Sequence, residues 1–158
     1  MNATALLLGL ALPALFVWPL GPPKPDVVRP WSPPPSPYGP GHRGVDLAAR
    51  PGAPVRATAA GVITFAGRVA GRGTLTITLP DTGDPPLRTT YTPVDPLLPR
   101  GTPVAPGDVV AEVAAEPRHC EQTCLHWGLL RGDLYLNPLT LVRRPPSRLL
   151  PVLGVGRG

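Results

Sequence analysis

Apolar and polar positions alternate along Thr74-Leu75-Thr76-Ile77-Thr78-Leu79. A period of two is the signature of a strand with one face buried. The stretch Pro80-Asp81-Thr82-Gly83-Asp84-Pro85-Pro86 is turn chemistry, and Leu87-Arg88-Thr89-Thr90-Tyr91 should be the returning strand. Together they predict an antiparallel hairpin. A short apolar run at 62–66 lies between Gly61 and Gly67. A further strand is expected at 108–113, entered through Pro106-Gly107, and another at 125–130. Residues 134–136 should pair with the last of these across Arg131-Gly132-Asp133. Prolines interrupt the chain too often for any helix longer than a turn. The expected fold is all-β, built of short antiparallel strands in a sandwich or barrel.

The two ends follow a different pattern. Residues 1–23 carry no charged side chain, and 5–20 read ALLLGLALPALFVWPL. That run is long for a signal-peptide core and short for a membrane span, so residues 1–20 are expected to be an export signal or an uncleaved membrane anchor. Residues 21–38 are dominated by proline and predict a stiff polyproline II linker without internal hydrogen bonds. Residues 39–142 form the foldable body, and 143–158 read as a basic disordered tail.

Charge sharpens this division. The chain of 158 residues has a formal net charge of +5. Within 41–142, nine arginines balance nine acids, so the surplus belongs to the ends. A neutral body argues against a nucleic-acid-binding module. The tail, with Arg143, Arg144, Arg148 and Arg157, fits either a solvated end or weak attraction to an anionic surface.

The chemistry-bearing residues are few. The three histidines are His42, His119 and His126. On an extended segment, residues i and i+2 or i+4 share a face, so His42 projects with Asp46, and His126 with Cys124. Gly44, between His42 and Asp46, is expected to leave room for an ion. By the same alternation Leu125 and Trp127 point into the core, and Arg43 faces away from the ion as a surface residue. His42, Asp46 and His126 would supply three ligands with a fourth position left to water, the arrangement of a catalytic rather than a structural zinc site. Cys120 and Cys124 are separated by three residues. In an exported protein they would pair, stabilising so short a loop by only ~2 kcal/mol. The alternative is a thiolate bound to the metal.

Three blocks, in order, carry a resemblance: GHRGVDLAARPGAPVRATAAGVITFAG, GTPVAPGDVVAEV and CLHWGLLRGDLYLNPLTLV. Over roughly residues 39–142 they resemble the lysostaphin/LytM-type peptidoglycan endopeptidases. Those enzymes open with H-x-x-x-D and close with an H-x-H strand followed by N-P-L. The resemblance implies a curved antiparallel β-sheet core with zinc in a groove. It also implies His42, Asp46 and His126 as ligands, and the peptides of bacterial cell-wall peptidoglycan as partner, met outside the cytoplasm.

Two departures stand out against that family. Cys124 occupies the place of the first histidine of H-x-H, and Pro93, in Thr90-Tyr91-Thr92-Pro93, replaces the histidine of Y-x-H. In the family those histidines handle protons and steady the developing oxyanion. His119, beside Cys120, is the candidate substitute, the plainer reading being an exposed loop histidine. Tyr91 either packs in the core or lines the groove. The chain is therefore expected to be an exported zinc endopeptidase or a catalytically degenerate binding or regulatory module of the same fold.

Overall fold

A computed structural model of the chain describes residues 15–36, 39–117 and 120–143. In chain order the strands are β1 (Val27–Arg29), β2 (Gly44–Ala48), β3 (Pro54–Arg56), β4 (Gly61–Val69), β5 (Arg72–Leu79) and β6 (Leu87–Thr92). They continue as β7 (Val94–Pro96), β8 (Pro103–Val104), β9 (Val109–Val113), β10 (Cys124–Arg131) and β11 (Leu134–Leu136), and one helical turn, α1 (Leu139–Val142), follows. The main sheet runs β1-β2-β10-β6-β5-β4-β8, with β11 beside β10, and a second sheet runs β3-β9-β7. All the pairings are antiparallel. The all-β expectation holds.

The period-two runs became strands because each has one apolar face to bury. Leu75, Ile77 and Leu79 of β5 turn inward with Tyr91 of β6, Val45 and Leu47 of β2, and Leu125, Trp127 and Leu129 of β10. Each such side chain removed from water contributes about 1.5–3 kcal/mol. The polar tips inside are satisfied. Trp127 Nε1 donates to Thr89 Oγ1 at 2.8 Å, and the Tyr91 hydroxyl donates to Thr58 Oγ1 at 2.9 Å while accepting the Thr58 N–H. Tyr91 is thus a core residue, which decides the question its sequence left open. The opposite face of β10, β6 and β5 is left to His126, Thr92, Thr90, Thr74 and Thr76.

The amino-terminal region departs from its sequence reading. Residues 1–14, most of the expected export segment, lie outside the described residues. From Leu15 onward the chain packs on the body. The Val17 N–H bonds to the Thr58 carbonyl and the Arg56 N–H to the Pro19 carbonyl, both at 2.8 Å. Trp18 tilts against Trp127 with centroids 6.0 Å apart, and Leu20 is buried in the core. The segment read as a linker without internal hydrogen bonds instead adds β1 to the edge of the main sheet, with Val27 opposite Leu47 and Arg29 opposite Asp46. Ser32 and His42 then form a bridge of their own. The physical reason is that β2 would otherwise be an open sheet edge, and the proline-rich chain pairs with it at its proline-free stretch Val27–Arg29. No helix among the described residues is long and apolar enough to cross a membrane. The tail from 144 onward lies outside the described residues.

Candidate metal centre

β2 and β10 pair so that His126 stands opposite Asp46, and β6 places Thr92 on the other side of His126. His42 comes from the bridge just before β2. This brings together the three residues that the sequence nominated. His126 Nδ1 lies 2.7 Å from Asp46 Oδ1, His42 Nε2 lies 3.1 Å from the same oxygen, and the two ring nitrogens are 3.1 Å apart. His42 and Asp46 are buried, and His126 is partly open to the groove.

The tautomer of His42 follows from its other nitrogen. Nδ1 sits 2.8 Å from the Pro30 carbonyl, which can only accept, so Nδ1 carries the proton. The lone pair of a neutral His42 ring is then on Nε2 and meets the Asp46 carboxylate and His126. Three electron-rich atoms converging on one point require a positive centre, a proton or a metal cation. Zinc bonds of ~2.0–2.1 Å would set tetrahedral ligands roughly 3.3 Å apart. Two of the spacings, both 3.1 Å, are within about 0.2 Å of that, and the third, 2.7 Å, is shorter and would open slightly around an ion, so the donor set fits. The Pro30 carbonyl behaves as the outer partner that a metal-bound histidine usually has.

Two details correct the sequence reading. Gly44 does not open space for an ion. A Cβ there would come within 2.6 Å of His126 Nε2 and 2.5 Å of the Trp127 carbonyl oxygen, so the glycine makes room for the His126 ring. Arg43 does not turn away from the site either. It lines the groove with His126, its guanidinium 5.9 Å from the Tyr135 ring centroid. Strict alternation fails at Arg43 because His42 precedes β2 on an isolated bridge.

Cys120 and Cys124 are joined as a disulfide with Cα atoms 5.9 Å apart, and their sulfurs lie near the Asp46 carboxylate. A disulfide sulfur is neither a thiolate ligand nor a base. Pro93, directly after β6, has its ring buried and its carbonyl accepting the Ala114 N–H at 3.1 Å. His119 lies outside the described residues. Among the described residues, no imidazole besides His42 and His126 stands at the site. The pKa of the Tyr91 hydroxyl is pushed up by burial, against the opposing pull of its hydrogen bonds to Thr58 and Thr89.

Beside His126 an open groove of about 730 Å³ crosses the sheet. Sequence reasoning missed its floor of threonines. The signal was present, since the polar positions of β5 and β6 are nearly all threonine.

A curved antiparallel sheet holding a His-Asp-His trio beside a groove describes a metallopeptidase-type domain. Residues 40–138 match the model of Peptidase family M23, and the chain belongs to that family, of which the lysostaphin/LytM-type enzymes are part. Among curated proteins it resembles Uncharacterized protein Rv2891 of Mycobacterium tuberculosis, 41% identical over 145 residues, covering 89% of this chain and 56% of that protein. The chain thus spans about half the length of the curated relatives it matches. Two solved structures share the fold. A zinc-containing peptidase from Vibrio cholerae superposes with a TM-score of 0.64 at 23% identity, over 78% of this chain and 38% of that one. The catalytic domain of the antimicrobial peptidase lysostaphin from Staphylococcus simulans gives 0.63 at 20% identity, over 75% and 93%.

Proposed function

We propose that this domain works outside the cytoplasm, holds one zinc ion through His42, Asp46 and His126, and binds the peptide part of peptidoglycan in its groove with little or no hydrolysis. The observation that carries the reading is the convergence of three donor atoms beside a groove whose proton-handling positions are filled by Pro93 and a disulfide-bonded Cys124. When bound, the zinc would polarise a carbonyl or water as a Lewis acid.

The chain's own residues account for the rest. The Pro30 carbonyl holds the His42 ring in one tautomer, and Asp46 is fixed between two imidazoles. Thr90 offers its hydroxyl to a peptide backbone lying along β6, while the Thr92 hydroxyl is held by the Gly73 carbonyl and the Thr74 hydroxyl. Among the described residues no ring nitrogen outside the His42–Asp46–His126 trio stands ready to take or return a proton, and loss of a general acid–base typically costs 10²–10⁴-fold in rate. The disulfide suits an extracytoplasmic setting. A second reading, an active endopeptidase using His119, draws on one observation: the Cys120 sulfur, adjacent in sequence, lies beside Asp46.

The test uses zinc-loaded full chain with purified peptidoglycan. It should co-sediment with the polymer and release few or no new amino termini. Pro93→His together with Cys124→His and Cys120→Ser should raise release by 10²-fold or more. Fast release by the wild type, abolished in His119→Ala, would overturn the binding reading in favour of the second one. Failure to co-sediment would overturn both.

A further inference from the structure

The groove floor is laid out in rows set by strand register. His126 faces Thr92, which bonds to Thr74 through their hydroxyls at 3.3 Å. The next row is Gly128, Thr90 and Thr76, and the one after is Leu130, Arg88 and Thr78. Rows on one face are two residues, about 6.6 Å, apart. Arg88 therefore lies about 13 Å along β6 from the His126 row. Arg72, two residues before Thr74 on β5, lies about 7 Å from that row on the other side. Arg43 forms part of the wall between them, over Tyr135.

Among the described residues the groove lining thus contains three arginines and no carboxylate, Asp46 being buried against His126. In a body where arginines and acids balance, this is a local excess of one sign. The three arginines are engaged differently. Arg88 Nη2 donates to the Gly132 carbonyl at 2.6 Å and Arg43 Nη2 to the Gly39 carbonyl at 3.4 Å. The Arg72 guanidinium makes no side-chain hydrogen bond or ion pair among the described residues, and its Nε is screened from solvent without an acceptor. The screened Nε is out of a ligand's reach, but the terminal nitrogens are not buried and carry no partner, and a carboxylate is the group that meets such a guanidinium edge with charge-assisted, bidentate geometry.

We infer that Arg72, supported by Arg43 and Arg88, makes the groove selective for a peptide bearing free carboxylates, an anionic stem peptide rather than an uncharged glycine-type cross-bridge or an amidated stem. The inference rests on the reading of the groove as a peptide site and deepens it. The threonine rows are neutral and serve any peptide backbone. The backbone positions of Arg72 and Arg88, on either side of the His126 row and about 20 Å apart along the strand direction, match the span of an extended peptide of about six residues. One carboxylate at either end would then meet an arginine.

The test is a binding titration of zinc-loaded full chain with four probes. These are a six-residue peptide with free carboxylates near both ends, the same peptide with every carboxylate converted to carboxamide, hexaglycine amide, and inorganic polyphosphate. The carboxylate peptide should bind at least tenfold more tightly than its carboxamide twin, and the advantage should shrink as salt rises. Arg72→Gln should remove most of the advantage while zinc content stays at the wild-type level, and Arg100→Gln, on the exposed surface away from the groove, should leave it intact. Equal affinity for the two peptides overturns the inference alone and leaves peptide binding standing; this arm needs no variant. Tighter binding of polyphosphate than of the carboxylate peptide also overturns it, assigning the arginines to a phosphate polymer. Binding of no peptide overturns this inference and the proposed function together.

Discussion

His42 is tied to Pro30: its Nδ1–H donates to the Pro30 carbonyl at 2.8 Å, so a segment that reads in sequence as a spacer orients a residue of the metal centre. The same ring presents Nε2 to Asp46 and His126. Long-range proton–nitrogen NMR correlation should therefore find His42 protonated at Nδ1 at neutral pH. A proton on Nε2 alone would break the link between the amino-terminal strand and the site.

Leu20 is 6% exposed and belongs to the core, although the sequence places it at the end of an apolar export run. Leu20→Ala should destabilise the fold by about 2–4 kcal/mol, the usual cost of a buried leucine-to-alanine change. Chemical denaturation of the two proteins reads this directly. An unchanged midpoint would show that residues 15–20 are not part of the folded domain.

Tyr91 gives a pH signature. Burial raises its pKa above the ordinary 10.0, so the folded state resists ionisation more than the unfolded chain does. Its contribution to stability is fully present below pH ~10, where both states are protonated, and is lost as pH rises from there through the raised folded value. Tyr91→Phe should cost about 1–2 kcal/mol at pH 7 by leaving the Thr58 N–H and hydroxyl without their partner. It should also flatten part of the fall in stability above pH 10. An identical alkaline profile in the two proteins would contradict the assignment.

Much of the fold was legible because its main strands obey local rules. β5 and β6 alternate cleanly around a Pro-Asp-Thr-Gly turn, and β10 hides Leu125 and Trp127 behind His126. The trio was legible for the same reason, since H-x-x-x-D and C-x-H fix which side chains share a face. What the sequence concealed depends on partners far along the chain. β1 is three residues in a proline-rich stretch, and its only reason to be a strand is the edge of β2. β3, β7 and β8 are two or three residues long and each contains proline. Gly44 looked like space for an ion because its true neighbour, the His126 ring, arrives from a strand some eighty residues later. The basic character of the groove was invisible because Arg43, Arg72 and Arg88 meet only once β2, β5 and β6 are in place.

The central claim is that His42, Asp46 and His126 together hold a zinc ion. Counting metal atoms per chain in purified protein reconstituted with zinc and then dialysed tests it most directly, with His126→Ala and Asp46→Asn alongside. The account predicts about one zinc per chain in the wild type, strongly reduced occupancy in both variants, and no loss of zinc when the protein is treated with a thiol-alkylating reagent, since both cysteines are in the disulfide. Full zinc occupancy in His126→Ala, or a wild type that retains none, would contradict it.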